Sequence, residues 1–214
     1  MVDASLKKHW PLWTLLVVAA AATTWSAIAP HDYPTWFFEI MLGLPGVIVL
    51  AAIYRRFRFS SVIYVVCAVH YLVLAVGAKH TYALEPVFAW LKEALGLSRN
   101  HFDRVGHFMQ GFTPALLTRE ILIRKSPLKP GKWLTFVSIS VPLALSAFYE
   151  LIEMWCVLAF CSEPGGEWLG HQGDVWDAQW DMTMALLGAV LALLLLSRLQ
   201  DRTMKAVWRQ TGSK

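Results

Sequence analysis

Charge is scarce in this chain. Only 16% of its 214 residues are Asp, Glu, Lys or Arg, where an ordinary soluble domain carries about 25%. With 57% hydrophobic residues, that shortage excludes a disordered chain. Cysteine is scarcer still: three residues cannot form a disulfide framework. The Cys pairs of a zinc ribbon, the His-Glu-x-x-His and Gly-x-Ser-x-Gly motifs and the multiple-His boxes of membrane desaturases are all missing. The chain also lacks a repeat of about 20–50 residues and any low-complexity tract. No motif reads nucleic acid, so the formal net charge of +4 and the pI near 9.0 carry no such reading.

What the chain has is long apolar runs and 11 tryptophans, at a mean hydropathy of +0.47. Lipid is its main solvent. A helix needs about 20 apolar residues to cross the hydrocarbon. Six stretches fit an all-α polytopic membrane protein, at about residues 10–29, 37–54, 61–78, 103–123, 133–160 and 177–196. The first, from Trp10 to Ala29, is too long for a cleaved leader and leads into no small-x-small site, so it is retained. Pro45-Gly46 predicts a kink in the second. Near residues 85–97, Pro86 followed by Val87, Phe88, Trp90, Leu91, Leu95 and Leu97 predicts a short amphipathic helix on the membrane surface. One membrane domain over residues 1–214 is the simplest partition.

The basic residues orient it. With the N-terminus inside, 15 of the 19 fall on cytoplasmic segments, leaving Lys79, Lys92, Arg99 and Arg104 outside. The positive-inside rule therefore predicts N-in, C-in. Acidic residues show the opposite bias. Twelve of the 15 lie outside or in the outer half of a span, and only Asp3, Glu120 and Asp201 lie inside. Outer loops explain Glu85, Glu93, Glu163 and Glu167 as solvated groups. They do not explain carboxylates within spans, where each costs several kcal/mol unless it faces a partner or a cavity.

Three segments bring such groups to one level. On the fourth span Asp103, His107 and Gln110 form one helical stripe, with Ser98 or Asn100 placed to cap it. On the fifth, Glu150 and Glu153 share a face with Ser146 one turn earlier. Their repulsion requires a shared metal or proton, or a pairing with Arg99 or Arg104. Before the sixth, His171 is followed by Asp174, Asp177 and Asp181 in another stripe. Helix-dipole capping accounts for Asp174 and in part Asp177, but not for Asp181 in the second turn. Trp176 and Trp180 read as interfacial aromatics. Oxygen-rich ligands with one or two imidazoles suit Mg²⁺, Mn²⁺, Zn²⁺ or non-haem Fe. The predicted metal set is Asp103, His107, His171, Asp174, Asp177 and Asp181. Glu150 or Glu153 would serve as base, and Arg99 or Arg104 would hold an anionic group. Cys156 and Cys161 lie near the outer face, at a spacing awkward for a disulfide on a continuous helix.

The blocks Arg99-Asn100-His101-Phe102-Asp103-Arg104-Val105-Gly106-His107-Phe108-Met109-Gln110-Gly111, Tyr149-Glu150-Leu151-Ile152-Glu153 and Gln172 to Met182 resemble the signature blocks of the bacterial YjdF-type inner-membrane proteins. The resemblance covers nearly the whole chain. It implies a small polytopic inner-membrane protein and no particular activity. More distantly, Asp103, His107, Ser146, Glu150, Asp177, Asp181 and Gly188 resemble the pattern of VanZ-like proteins, a group linked to glycopeptide resistance. Arg104 stands where those proteins have Lys, and Ala185 where they have Asn.

Three functions fit these residues. A metal-assisted hydrolase or group transferase would act from the outer leaflet on a lipid-linked or amphiphilic substrate, a bound cation polarising a phosphoryl or carbonyl oxygen. A small proton- or cation-coupled transporter would use Glu150, Glu153 and Asp181, although no inverted repeat supports it. A non-catalytic partner protein would use the polar cluster only to lock helices. The first is the leading expectation.

Overall fold

A computed structural model of the chain describes residues 4–160 and 171–211. These residues form seven α-helices: α1 (Ala4–Ala27), α2 (Tyr33–Ile53), α3 (Ser61–His80), α4 (Pro86–Leu95), α5 (Phe102–Lys125), α6 (Lys132–Phe160) and α7 (Asp177–Thr211). A short 3₁₀ turn spans His171–Gly173, and the described residues contain no strand. Five helices are long and apolar enough to cross a membrane: α1 from His9, α2, α3, α6 to Cys156 and α7 to Trp208. The polar α5 is as long as α1 but does not reach that apolar threshold.

Several boundaries differ from the sequence expectation, each for a local reason. Helix α2 starts at Tyr33 rather than near residue 37. The Asp32 carboxylate accepts the Thr35 N–H at 2.8 Å, and Pro34 sits in the first turn, where its missing N–H costs nothing. Helix α2 runs on through Pro45 as one helix. Helix α1 begins at Ala4, ahead of the apolar run. Helix α7 runs on to Thr211, well past residue 196, because Gln200, Met204 and Val207 form a buried stripe under the basic residues. At 35 residues it is about 52 Å long. Glu85 is not a solvated loop acid. It is buried and accepts the Phe88 N–H at 2.8 Å, capping α4.

The chain divides into two compact units. One comprises residues up to Trp90 together with those from Leu196 onward. In it α1, α2 and α3 pack against one another. Side-chain hydrogen bonds pin them: Thr23 Oγ1 with Tyr71 Oη at 2.6 Å, Trp36 Nε1 donating to Ser26 Oγ at 2.9 Å, and His9 Nδ1 with Tyr54 Oη at 3.0 Å. Such bonds join spans where lipid gives apolar faces no reason to associate.

The second unit, Leu91 to Leu195, contains α5, α6 and the first half of α7. Helix α5 packs along α6 and meets α7 backbone to backbone. A Cβ on Gly111 would fall 1.8 Å from the Ala185 carbonyl oxygen, and one on Gly188 2.0 Å from that of Phe108. Only glycine permits this crossing. Ala185, Ala189 and Ala192 continue the small, fully buried face of α7.

Candidate functional site

The site is built around the start of α5. Just before it, the Asn100 side chain accepts the Phe102 N–H at 2.9 Å, an Asx turn that starts the helix. Gln172 then grips the Asn100 backbone from both sides. Its Oε1 accepts the Asn100 N–H at 2.8 Å and its Nε2 donates to the Asn100 carbonyl at 2.9 Å. Gln172 has a left-handed backbone, with φ of 58°, a strained position for a residue with a Cβ. The clasp holds it there and seats the α7 approach against the α5 approach.

That seating puts two guanidiniums among the carboxylates that precede and begin α7. Arg99 Nη1 donates to Asp174 at 3.2 Å and to Asp177 at 2.5 Å, while its Nη2 lies 3.4 Å from Asp103. Arg104 Nη2 donates to Asp174 at 3.1 Å and Asp177 at 3.0 Å, and its Nη1 donates to Asp181. Both arginines are buried, so each forked donor set is matched by several acceptors. The Trp176 amide, 3.0 Å away, together with Arg99 and Arg104, holds the Asp174 carboxyl below the usual carboxylate range, overcoming its burial. Burial, and then the nearby Arg99 and Arg104, hold the His101 imidazole below its usual value.

One turn into α5 the arrangement changes. Asp103, His107 and Asp181 present ligand atoms that all lie within 4.8 Å of one another. His107 Nε2 is 3.5 Å from Asp103 Oδ1 and 3.6 Å from Asp181 Oδ2. Its Nδ1 looks the other way, toward Glu150 Oε1 at 3.8 Å. That separation is too long for a hydrogen bond. Both atoms are buried and neither has a hydrogen-bond partner among the described residues. The Tyr149 ring lies edge-on to the imidazole at 6.0 Å. Six carboxylates (Asp103, Glu150, Glu153, Asp174, Asp177 and Asp181) thus meet two guanidiniums and one imidazole. The excess of negative charge calls for cations or protons.

The predicted residues therefore divide. Asp103, His107 and Asp181 come together as a potential metal triad. Asp174 and Asp177 face both arginines, and Arg99 and Arg104 are engaged by carboxylates. Glu150 stands behind the imidazole, and Glu153, half-buried, follows one helical turn later. The side chain of His171 and the whole of Cys161 lie outside the described residues, so neither the sixth predicted ligand nor the cysteine pairing is described. Sequence reasoning missed Gln172 as a clasp and Gly111 and Gly188 as the crossing that sets the α5–α7 distance. Glycines within the helices were the available signal for the crossing. Nothing local marked Gln172.

Comparison with known proteins places the chain. The profile of a family described as "Predicted membrane protein (DUF2238)" matches residues 11–202. The chain is also 41% identical over 188 residues to a protein of Escherichia coli (strain K12) described as "Inner membrane protein YjdF", a match covering 88% of this chain and 90% of that one. No solved structure matches it. The chain is a member of the DUF2238 family of membrane proteins.

Proposed function

We propose that this protein is a six-span inner-membrane protein, N-in and C-in, in which Asp103, His107 and Asp181 hold one divalent cation near the outer face. On that cation it carries out hydrolysis or group transfer on a lipid-linked or amphiphilic substrate. The inner-membrane location follows that of its E. coli relative, the inner membrane protein YjdF. The orientation rests on the basic residues of the inner segments, and α5 counts as the sixth span because its polar residues face partners rather than lipid.

One observation carries the metal reading. His107 aims Nε2 at two aspartates and Nδ1 at a third carboxylate, Glu150, with Nδ1 buried and without a hydrogen-bond partner among the described residues. A metal-bound histidine is oriented in this way, the far nitrogen giving its proton to an outer carboxylate. Glu150 is then a positioning group for the imidazole. Glu153, one turn away, is the better candidate for a base. Arg99 and Arg104 fix the α7 carboxylates. The cation would supply Lewis acidity toward a phosphoryl or carbonyl oxygen. The donor set of two carboxylates and one imidazole suits Mg²⁺, Mn²⁺, Zn²⁺ or non-haem Fe.

The test is metal content of detergent-purified protein after loading with each of these ions. Wild type is expected to hold about one ion per chain, and His107→Gln and Asp181→Asn to hold none while eluting as folded protein. Glu150→Gln should keep the ion about 10–100-fold more weakly. Metal-free wild type, or a His107→Gln variant that binds as well as wild type, would refute the proposal.

A further inference from the structure

Among the described residues, the hydroxyls of Thr24, Ser126, Thr135, Ser140, Thr183 and Thr203 bond the carbonyl four residues back on their own helix or turn. This is the usual resting place of a hydroxyl in an apolar helix. Ser138 and Ser146 on α6 break the pattern. Both are fully buried, and the Oγ of each has no hydrogen-bond partner among the described residues. They lie on one stripe of α6, with Pro142 between them and Glu150 one turn beyond Ser146. Pro142 is also fully buried. Having no N–H, it leaves the Ser138 carbonyl without its helical donor. The stripe thus presents two hydroxyls, a released carbonyl and Glu150 Oε1, which has no hydrogen-bond partner among the described residues. From Ser138 to Glu150 it covers 13 residues, a rise of about 18 Å, on the helix that packs along α5. Buried polar groups so consistently without protein partners, each with others within a turn or two, are what ordered water satisfies.

We propose that this stripe holds a file of water molecules running from the carboxylate cluster toward the Lys132 end of α6, and that the file carries protons between them. It shares Glu150, the carboxylate behind the His107 imidazole, with the cation reading, but its two hydroxyls and released carbonyl belong to none of the three proposed ligands.

The experiment compares wild type with Ser138→Ala/Ser146→Ala, which keeps helix propensity and removes both hydroxyls. X-ray radiolysis generates hydroxyl radicals from bound water, so it reports water that bulk reagents cannot reach. Pro142 is expected to be oxidised in wild type and at least about five-fold less in the double variant. In proteoliposomes under a pH gradient, proton flux measured by an entrapped pH dye is expected to fall about ten-fold in the double variant. Unmodified Pro142 in wild type, equal labelling in both proteins, or flux that is absent in wild type or unchanged in the variant would each overturn the proposal. Metal content serves as the control that separates the two readings, since the double variant is expected to bind the cation as wild type does.

Discussion

Replacing Gly111 by alanine tests the link between helix crossing and site most directly. The added Cβ would sit 1.8 Å from the Ala185 carbonyl oxygen, where ordinary contact begins at 3.4 Å. The obstacle is backbone on both sides, so no side chain can swing away. The helices must separate by about 1.6 Å along that line, the difference between those two distances. Arg104 reaches Asp177 from α5 at 3.0 Å and Asp174 at 3.1 Å. The same displacement takes both beyond hydrogen-bond range. Overpacking alone costs about 1–3 kcal/mol. Breaking a buried ion pair by removing one partner costs about 3–5 kcal/mol, and stretching two of them adds part of that. Gly111→Ala is therefore expected to lose about 3 kcal/mol or more, read by SDS titration in mixed micelles with tryptophan fluorescence as the signal. Gly46→Ala is the control. Nothing lies within 4 Å of its added Cβ, so it should be neutral or gain about 0.5–1 kcal/mol. A Gly111→Ala protein within about 0.5 kcal/mol of wild type would show that the crossing does not set the geometry of the site.

Arg104→Gln should destabilise by about 3–5 kcal/mol, because it strands the buried Asp181 carboxylate. Adding Asp181→Asn should restore part of the loss, and strict additivity in that double-mutant cycle would count against the pairing. Gln172→Ala removes two hydrogen bonds to Asn100 and should cost about 1–3 kcal/mol, with faster amide exchange at Asn100 as its local signature; wild-type exchange there would refute the clasp. Asp174 gives a pH dependence. Its folded-state pKa is depressed, so its contribution is fully present above the ordinary carboxylate value of 3.8 and is lost as pH falls through and below it. Thermal stability of Asp174→Asn should accordingly fall less steeply than that of wild type from pH 5 to pH 3; parallel curves would mean the shift is not linked to folding.

The helices were legible because lipid demands long apolar runs, and α5 was legible as a helix because Asp103, His107 and Gln110 share a stripe. The same spacing put Asp103, His107 and Asp181 together, since the first two are one turn apart and Asp181 lies beyond the reach of helix capping. How Arg99 and Arg104 divide the acids was not legible. Both sit within reach of several carboxylates, and the choice depends on how α7 is set against α5. That setting comes from Gly111 and Gly188, whose effect is a distance rather than a pattern. The tail of α7 was hidden by its own charges: Arg198, Asp201, Arg202 and Lys205 read as a solvated end, while Gln200, Met204 and Val207 carry the buried stripe beneath them. Ser138 was silent because an apolar helix ordinarily absorbs a hydroxyl without consequence, and Ser146 was legible only as a neighbour of Glu150.

The bond between Asn100 and Gln172 joins points 72 positions apart. Through it the stretch carrying α5 and α6 becomes a closed circuit, fastened at its ends by one side-chain amide that imitates a neighbouring peptide. The entropy lost in closing so long a loop grows only with the logarithm of its length, so a latch of two hydrogen bonds, helped by the ion pairs beside it, is in proportion to its task. A cut in the short turn between α5 and α6 would therefore leave two fragments still fastened to each other at the far end, with the carboxylate cluster lying just behind the fastening.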